Sequence, residues 1–574
     1  MTELTLKASR LSPAVETAPV STLPPAPSAL ESWFTWLFIT VFFVLKYFDL
    51  RAYRVDSDEP QHLHVVWGWA HELIQYRDLF DNHTPLFQML CAPFFAMIPE
   101  RPDIEIPMRL LMFPLCAATL WMTAKIAGRL LGKRAGMWAA LLTLALPGFF
   151  FTSEEFRTDD LWMVAWMLCV LLVFHRPFTT ATAFWLGVAI GTSFGVSMKS
   201  SVLVLSLAIG GLGTLVLIGR KHPWPAWPLL VKRSLVFLGG ALLIPLALVI
   251  FFAAHGALAQ FYYCTVQHNM LGSFGKMKSP LGHFLRFAIH LALAFGVARF
   301  LLRRYANRPH IESLIFLALT TVALFAVLFN LWPVVTSQDY LPLYPLLGIL
   351  LAVVLEQLPG KWRLPVGVTA LAASLAFLIW VNPPWRDETS ASFQIRAAAL
   401  RLLRPDETIM DGKGETIYRP RPIYYVLELL TLKRMSAGLI KDDIPERMVA
   451  MRTCAARLTR LHGRDAEFVR QNYTDVGNKL YVAGKVIDNP PPGKPVDFDL
   501  AIPTTYDVVQ PVGSFTGTLD GRPYHGAVAL AAGHHQLVSH AATPLVSVIW
   551  ERAITKGFSP FKQPKTAAPL PDNE

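Results

Sequence analysis

The sequence predicts a mainly α fold: a polytopic transmembrane helical bundle of about eleven spans, followed by a C-terminal outer-side α/β region and a small β-sandwich. Three observations predict it. Hydrophobic residues make up 53% of the 574 and charged residues only 16%, against roughly 25% charged in ordinary soluble proteins. Mean hydropathy is +0.39. Apolar runs recur between basic clusters up to Val381, and beyond it the pattern changes to short mixed segments with turn signals. The net charge of +11 does not imply a nucleic-acid partner, because much of the basic charge flanks apolar spans.

Residues 1–30 are rich in Pro, Ser, Thr and Ala and predict a disordered tail. No apolar run lies near Met1, so the first span is expected to act as an uncleaved anchor. The transmembrane region, 31–381, reads as spans at 33–50, 107–129, 136–152, 160–175, 180–197, 201–219, 234–254, 283–302, 311–332, 341–357 and 364–381. The first outer loop, 51–106, holds juxtamembrane helices. Within it Pro85–Pro99 is apolar but falls short of the roughly 20 residues a crossing needs, and it contains Pro93. It predicts an interfacial or re-entrant helix. That threading puts Arg129, Lys133 and Arg134, then Arg176, Arg220 and Lys221, Lys232 and Arg233, Arg303, Arg304 and Arg308, and Lys361 and Arg363 on one side, which the positive-inside rule makes the cytoplasm. The loop at Asp58, the cluster at Glu154–Asp160, Lys199, Asp339-Tyr340 and the tail after Asn382 then share the outer face of an inner (plasma) membrane.

In the tail, 382–489 mixes helical runs (Phe393–Leu403, Met448–Leu461) with short strands such as Lys479–Val482. A break at Asn489-Pro490-Pro491-Pro492-Gly493 precedes a small β domain over 490–556, in which Asp520-Gly521 signals a hairpin and Ala532-Gly533-His534-His535 another turn. Residues 557–574 predict a loose end. Cys91, Cys116, Cys169, Cys264 and Cys454 show neither metal-ligand nor redox spacing.

The chemistry concentrates in two acidic clusters. Asp56-Ser57-Asp58-Glu59-Pro60 follows the first span, where bare charge is costly without a task. Glu59-Pro60 reads as a helix start, with the helix running over Pro60–Gln75 and the carboxylates at its N-terminal mouth. Capping alone needs only one of them. His62 and His64 lie two apart on that helix and point to different faces, so they are poor joint ligands. No metal site is assigned, although a divalent cation could assist a phosphate there. A carboxylate in a partly dry cleft can act as general base on a hydroxyl. Glu154-Glu155-Phe156-Arg157-Thr158-Asp159-Asp160 forms the second cluster, and Lys199 lies at a span boundary on the same face. A lysine there often only snorkels. Lys199 and Arg157 facing carboxylates suit an anionic lipid headgroup better.

This layout resembles the GT-C membrane glycosyltransferases, in particular the protein O-mannosyltransferase and lipid A aminoarabinose transferase relatives. The pair Asp58-Glu59 is similar to their acidic pair after the first span, with Asp58 at the position of the catalytic carboxylate. Tyr76–Leu86 resembles their second signature, where His83 stands near the basic residue and Thr84 replaces the first proline. Phe156–Trp162 is similar to their second acidic loop, with Asp159 at the matching acid. Lys199 resembles the lysine that closes a Gly-rich span. Gln338-Asp339-Tyr340-Leu341-Pro342 is similar to an Arg-Tyr-x-x-Pro step in which Tyr340 matches and the arginine is absent. The resemblance covers roughly residues 33–381. It implies an inverting hexosyl- or pentosyltransferase that moves a sugar from a polyprenyl-phosphate donor to a lipid, glycan or protein hydroxyl. In that reading Asp58 is the base, Glu59 or Asp159 positions the acceptor or donor, and Lys199, Arg157, His83 and Tyr340 contact the donor phosphate. The alternative, a transporter or lipid flippase of a sugar–lipid pathway, predicts charges deep in the spans or broken-helix repeats, and the sequence shows neither clearly.

Overall fold

The computed structural model describes residues 27–174, 178–219, 226–271, 280–304 and 310–561. The expected N-terminal tail up to residue 26, most of the expected C-terminal tail, and Arg176, Arg220, Lys221 and Arg308 lie outside the described residues.

Helix α1 (Ala29–Ala52) opens on a capping box, in which Glu31 N–H donates to Ser28 Oγ at 3.1 Å and Ser28 N–H to Glu31 Oε2 at 2.8 Å. The first loop then carries α2 (Asp58–Ala70), α3 (Leu86–Ala96) and α4 (Glu105–Leu110), the last running almost directly into α5 (Met112–Leu131). Helix α2 stops before the expected Gln75, and Glu72 and Tyr76 beyond it take positive φ. At 11 residues α3 spans only about 16 Å, too short to cross a bilayer. Next come α6 (Lys133–Leu144), α7 (Pro147–Thr152), α8 (Thr158–Val173), α9 (Thr180–Val196), α10 (Ser200–Ile218), α11 (Trp227–Ala254), the short α12 (Leu258–Tyr262), α13 (Pro280–Arg304), α14 (Ile311–Asn330), α15 (Tyr344–Gln357) and α16 (Gly360–Val381).

Every expected span is helical, but among the described residues eight helices are long and apolar enough to cross a membrane unaided. Three fall short. Pro147 divides the third into α6 and α7, because proline removes an amide donor and clashes one turn back. The fourth and fifth, α8 and α9, have 16 and 17 residues. Small residues let helices close on one another. A Cβ at Gly187 or Gly191 of α9 would strike the α11 backbone at Phe237 and Ala241, so glycine is required for that approach. Trp138, Trp162 and Trp166 lie fully enclosed at the centre, whereas Leu235, Leu242, Leu246 and Ile250 leave α11 exposed, as a lipid-facing side would.

After α16 the chain forms α17 (Ser390–Leu402) and a two-sheet β region. One sheet orders β1 (Ile409–Met410), β2 (Ala455–Ala456), β4 (Tyr481–Asp488), β11 (Leu545–Trp550), β6 (Thr504–Val509) and β9 (Val528–Leu530), with β3 (Tyr473–Asp475) also pairing β4. The other orders β5 (Pro495–Leu500), β10 (Gly533–Ser539), β7 (Gly517–Leu519) and β8 (Arg522–Pro523). The Asp520-Gly521 hairpin is present: both residues have positive φ, 50° and 74°, joining Leu519 to Arg522. The helix expected over Met448–Leu461 is instead a helix over Ile444–Ala450 followed by β2, because Ala455 and Ala456 are taken up between β1 and β4. The turn at 489–493 does not divide two cores. Strand β11 returns to pair β4, and one apolar cluster runs from Ala398 to Phe558.

The tail sits on the first loop. Arg396 of α17 pairs with Glu105 at 2.5 Å and donates to Pro102 O at 2.6 Å. Arg419 pairs with Glu100 at 2.9 Å.

Candidate active site

The two acidic clusters meet where α2 and α8 begin. Proline at 60 and the carboxylates in the first turn favour the start of α2, and Asp159 and Asp160 likewise occupy the first turn of α8. Between them stands Arg157. Its guanidinium contacts Asp56 at 2.5 Å, Asp58 at 2.6 Å and Asp159 at 3.2 Å. Lys199 lies 3.5 Å from Asp159 and also pairs with Asp339. On the other flank Lys413, from the tail, pairs with Asp58. Cations and carboxylates therefore alternate: Lys413, Asp58, Arg157, Asp159, Lys199, Asp339.

Asp58 keeps part of its side chain open, at 22% exposure. Burial opposes its ionisation, but Arg157 and Lys413, with His83 nearby, hold its carboxyl well below the usual range. Asp58 is therefore ionised, with one oxygen on Arg157 and the other on Lys413.

Glu59 does not join this array. It is fully enclosed, and both its oxygens are engaged. Arg109 Nε donates to Oε1 at 2.8 Å, Phe156 N–H to Oε1 at 2.7 Å and Asp56 N–H to Oε2 at 3.1 Å. The same Arg109 donates to Leu50 O, Tyr53 O and Arg54 O, satisfying carbonyls where α1 ends. Glu59 thus ties α1, α2, α4 and the second acidic loop together, and its carboxylate is not free for substrate. The Tyr340 ring lies 6.3 Å from that of Phe325, and its neighbour Asp339 is the residue that reaches Lys199.

His83 lies beside the array, with its Nδ1 2.8 Å from Asp81 Oδ1. His62, Asp81 and His83 form the one grouping among the described residues with ligand atoms close enough to hold a metal ion. The donor set fits poorly. Asp81 already accepts from Gln61 at 3.0 Å, Gln75 at 3.0 Å, Gln88 at 3.1 Å and His83 N–H at 3.2 Å, besides the His83 ring. A cation would have to displace these donors. Burial pushes His62 down to about 3, so the ring is neutral. As expected, His64 points elsewhere: its Nδ1 lies 2.7 Å from Ile417 O.

Sequence reasoning missed Lys413 as a member of the array and Arg109 as the partner of Glu59, and it counted Asp56 in the first cluster without giving it a role. Lys413 lies in the tail, whose docking no local pattern reports. Its one visible signal is the step Asp411-Gly412-Lys413-Gly414, a glycine-flanked cation.

Residues 82–254 match the family of dolichyl-phosphate-mannose-protein mannosyltransferases. Among solved structures, ArnT from Cupriavidus metallidurans in the apo state aligns with a TM-score of 0.56, at 13% identity, over 79% of this chain and 98% of ArnT. The fold is that of ArnT. The same enzyme bound to undecaprenyl phosphate aligns with a TM-score of 0.50, at 13% identity, over 89% of this chain and 98% of that one. No curated protein matches the sequence. The chain thus resembles the ArnT and protein mannosyltransferase kind of GT-C protein, as its motifs led us to expect.

Proposed function

We propose that this chain is a membrane glycosyltransferase that moves a sugar from a polyprenyl-phosphate donor to a hydroxyl on a lipid, glycan or protein, with inversion, at the outer face of the inner membrane. The observation that carries the reading is the alternating array around Asp58 and Arg157, built on an ArnT fold. Asp58 takes the proton of the acceptor hydroxyl as its oxygen attacks the anomeric carbon. The bond from that carbon to the phosphate oxygen breaks, and the electron pair leaves with the polyprenyl phosphate. Arg157 and Lys199 stabilise the charge that develops on the departing phosphate. Asp159, between those two cations, keeps them in register. His83, held by Asp81, is the remaining candidate phosphate contact.

The test is purification with native lipids and mass spectrometry of what co-purifies. A polyprenyl phosphate or its sugar ester is expected, in an amount that falls in the double variant Arg157→Ala/Lys199→Ala. Recovery of bulk phospholipid alone from both would overturn the donor class. The outer-face assignment rests on charge bias. It predicts that cysteines placed at Ser57 and Ser390 both react with an impermeant reagent in spheroplasts. Reaction of only one, after the membrane is opened, would refute it.

A further inference from the structure

The cations of the array are not equally committed. Among the described residues, Arg157 is held by Asp56, Asp58 and Asp159, and Lys199 by Asp159 and Asp339. The Lys413 ammonium has a single carboxylate partner, Asp58, with Ser57 Oγ at 3.4 Å. The backbone that presents it is fixed. Asp411 accepts from Gly414 N–H at 2.7 Å and from Thr416 N–H at 3.0 Å, and pairs with Arg421 at 3.1 Å. Gly414 has a φ of 77°, and a Cβ there would lie 2.9 Å from the His64 side chain. A rigid loop thus presents the buried ammonium of a long side chain with several rotatable bonds to Asp58.

We propose that Lys413, delivered by the soluble tail, is a further ligand of the lipid-linked phosphate. It leaves Asp58 for the phosphate as the lipid binds, and so frees the base only once donor is present. Among the described residues, Arg157, His83, His62 and Asp56 are the other charged or titratable groups around Asp58. Arg157 keeps Asp58 through Nη1 while it also serves the phosphate, so Asp58 retains a cationic partner after the exchange. The exchange breaks one ion pair and forms another, with no net charge transferred. This inference rests on the donor class proposed above.

The test uses the full-length protein in nanodiscs, with undecaprenyl phosphate and undecaprenol as paired probes. A charge-assisted contact predicts that Lys413→Ala weakens binding of undecaprenyl phosphate about 10-fold. Undecaprenol binding is expected to stay unchanged and Lys413→Arg to restore most of the loss. A lysine that merely docked the tail would alter both lipids together or neither. If the unaltered protein prefers the phosphate and Lys413→Ala keeps that preference in full, the inference fails and the donor class stands. If the unaltered protein shows no preference, the donor class itself fails.

Discussion

The acidic pairs at the starts of α2 and α8 are built alike and divide their carboxylates alike. Asp58 stands in the partly open array, while Glu59 is sealed against Arg109. Asp159 lies between Arg157 and Lys199, while Asp160 is enclosed with neither oxygen hydrogen-bonded among the described residues. Successive residues on a helix point about 100° apart, so one of each pair joins the array and its neighbour packs elsewhere in the bundle. Each acidic doublet thus sets one carboxylate in the ion-pair array beside one enclosed in the bundle, and on the proposed function its members are expected to fail in different ways when changed.

The largest effect belongs to the sealed member. Removing one partner of a buried, hydrogen-bonded ion pair costs about 3–5 kcal/mol. Glu59→Ala should therefore lower the melting temperature and the folded yield sharply. A variant that melts like the parent yet loses transfer would make Glu59 a working group and erase the contrast. Asp58→Asn is expected to do the reverse. It keeps the shape and removes the base, so turnover falls roughly 100-fold or more with lipid-phosphate binding kept. Near-normal turnover in a sugar-transfer assay would exclude Asp58 as the base. Next in size is Lys199→Ala, predicted to weaken undecaprenyl phosphate binding by about 10-fold. Titration by tryptophan fluorescence would read this, and an unchanged affinity would confine Lys199 to pairing with Asp339.

A further effect is one of pH. Burial pushes Glu155, which accepts from Gln338 Nε2 at 2.7 Å, up to about 8. The unfolded chain gives up this proton near the ordinary carboxylate value, whereas the folded chain holds it. Stability contributed by the protonated group is thus fully present below the ordinary value and is lost as pH rises towards about 8. Glu155→Gln, permanently neutral, should flatten the fall in melting temperature between about pH 5 and 8. Parallel pH curves for parent and variant would show that Glu155 is ionised throughout, like the working acids.

Much of the layout was legible because it rests on local rules. Bilayer thickness sets span length, so the positions of the apolar helices could be read from hydropathy. Pro60 and the acids around it marked the start of α2, and Asp520-Gly521 marked a hairpin that needs two positive φ values. Asp58, Arg157, Asp159 and Lys199 could be named in advance because charge at a membrane edge is expensive and seldom incidental. Local pattern also misled where long-range pairing overrode it, as at Ala455 and Ala456, whose helical surroundings yield to the sheet.

By itself the sequence determined the class of fold, the course of its helices and the residue types available for chemistry, since each follows from periodicity, length and the cost of burying charge. Only the tertiary structure decided which of two adjacent acids joins the array, that Arg109 seals Glu59, that Tyr340 lies near Phe325, and that Lys413 reaches Asp58 across 355 positions of chain. Those outcomes depend on how helix rotation and the docked tail place side chains in space, and no spacing along the chain encodes that.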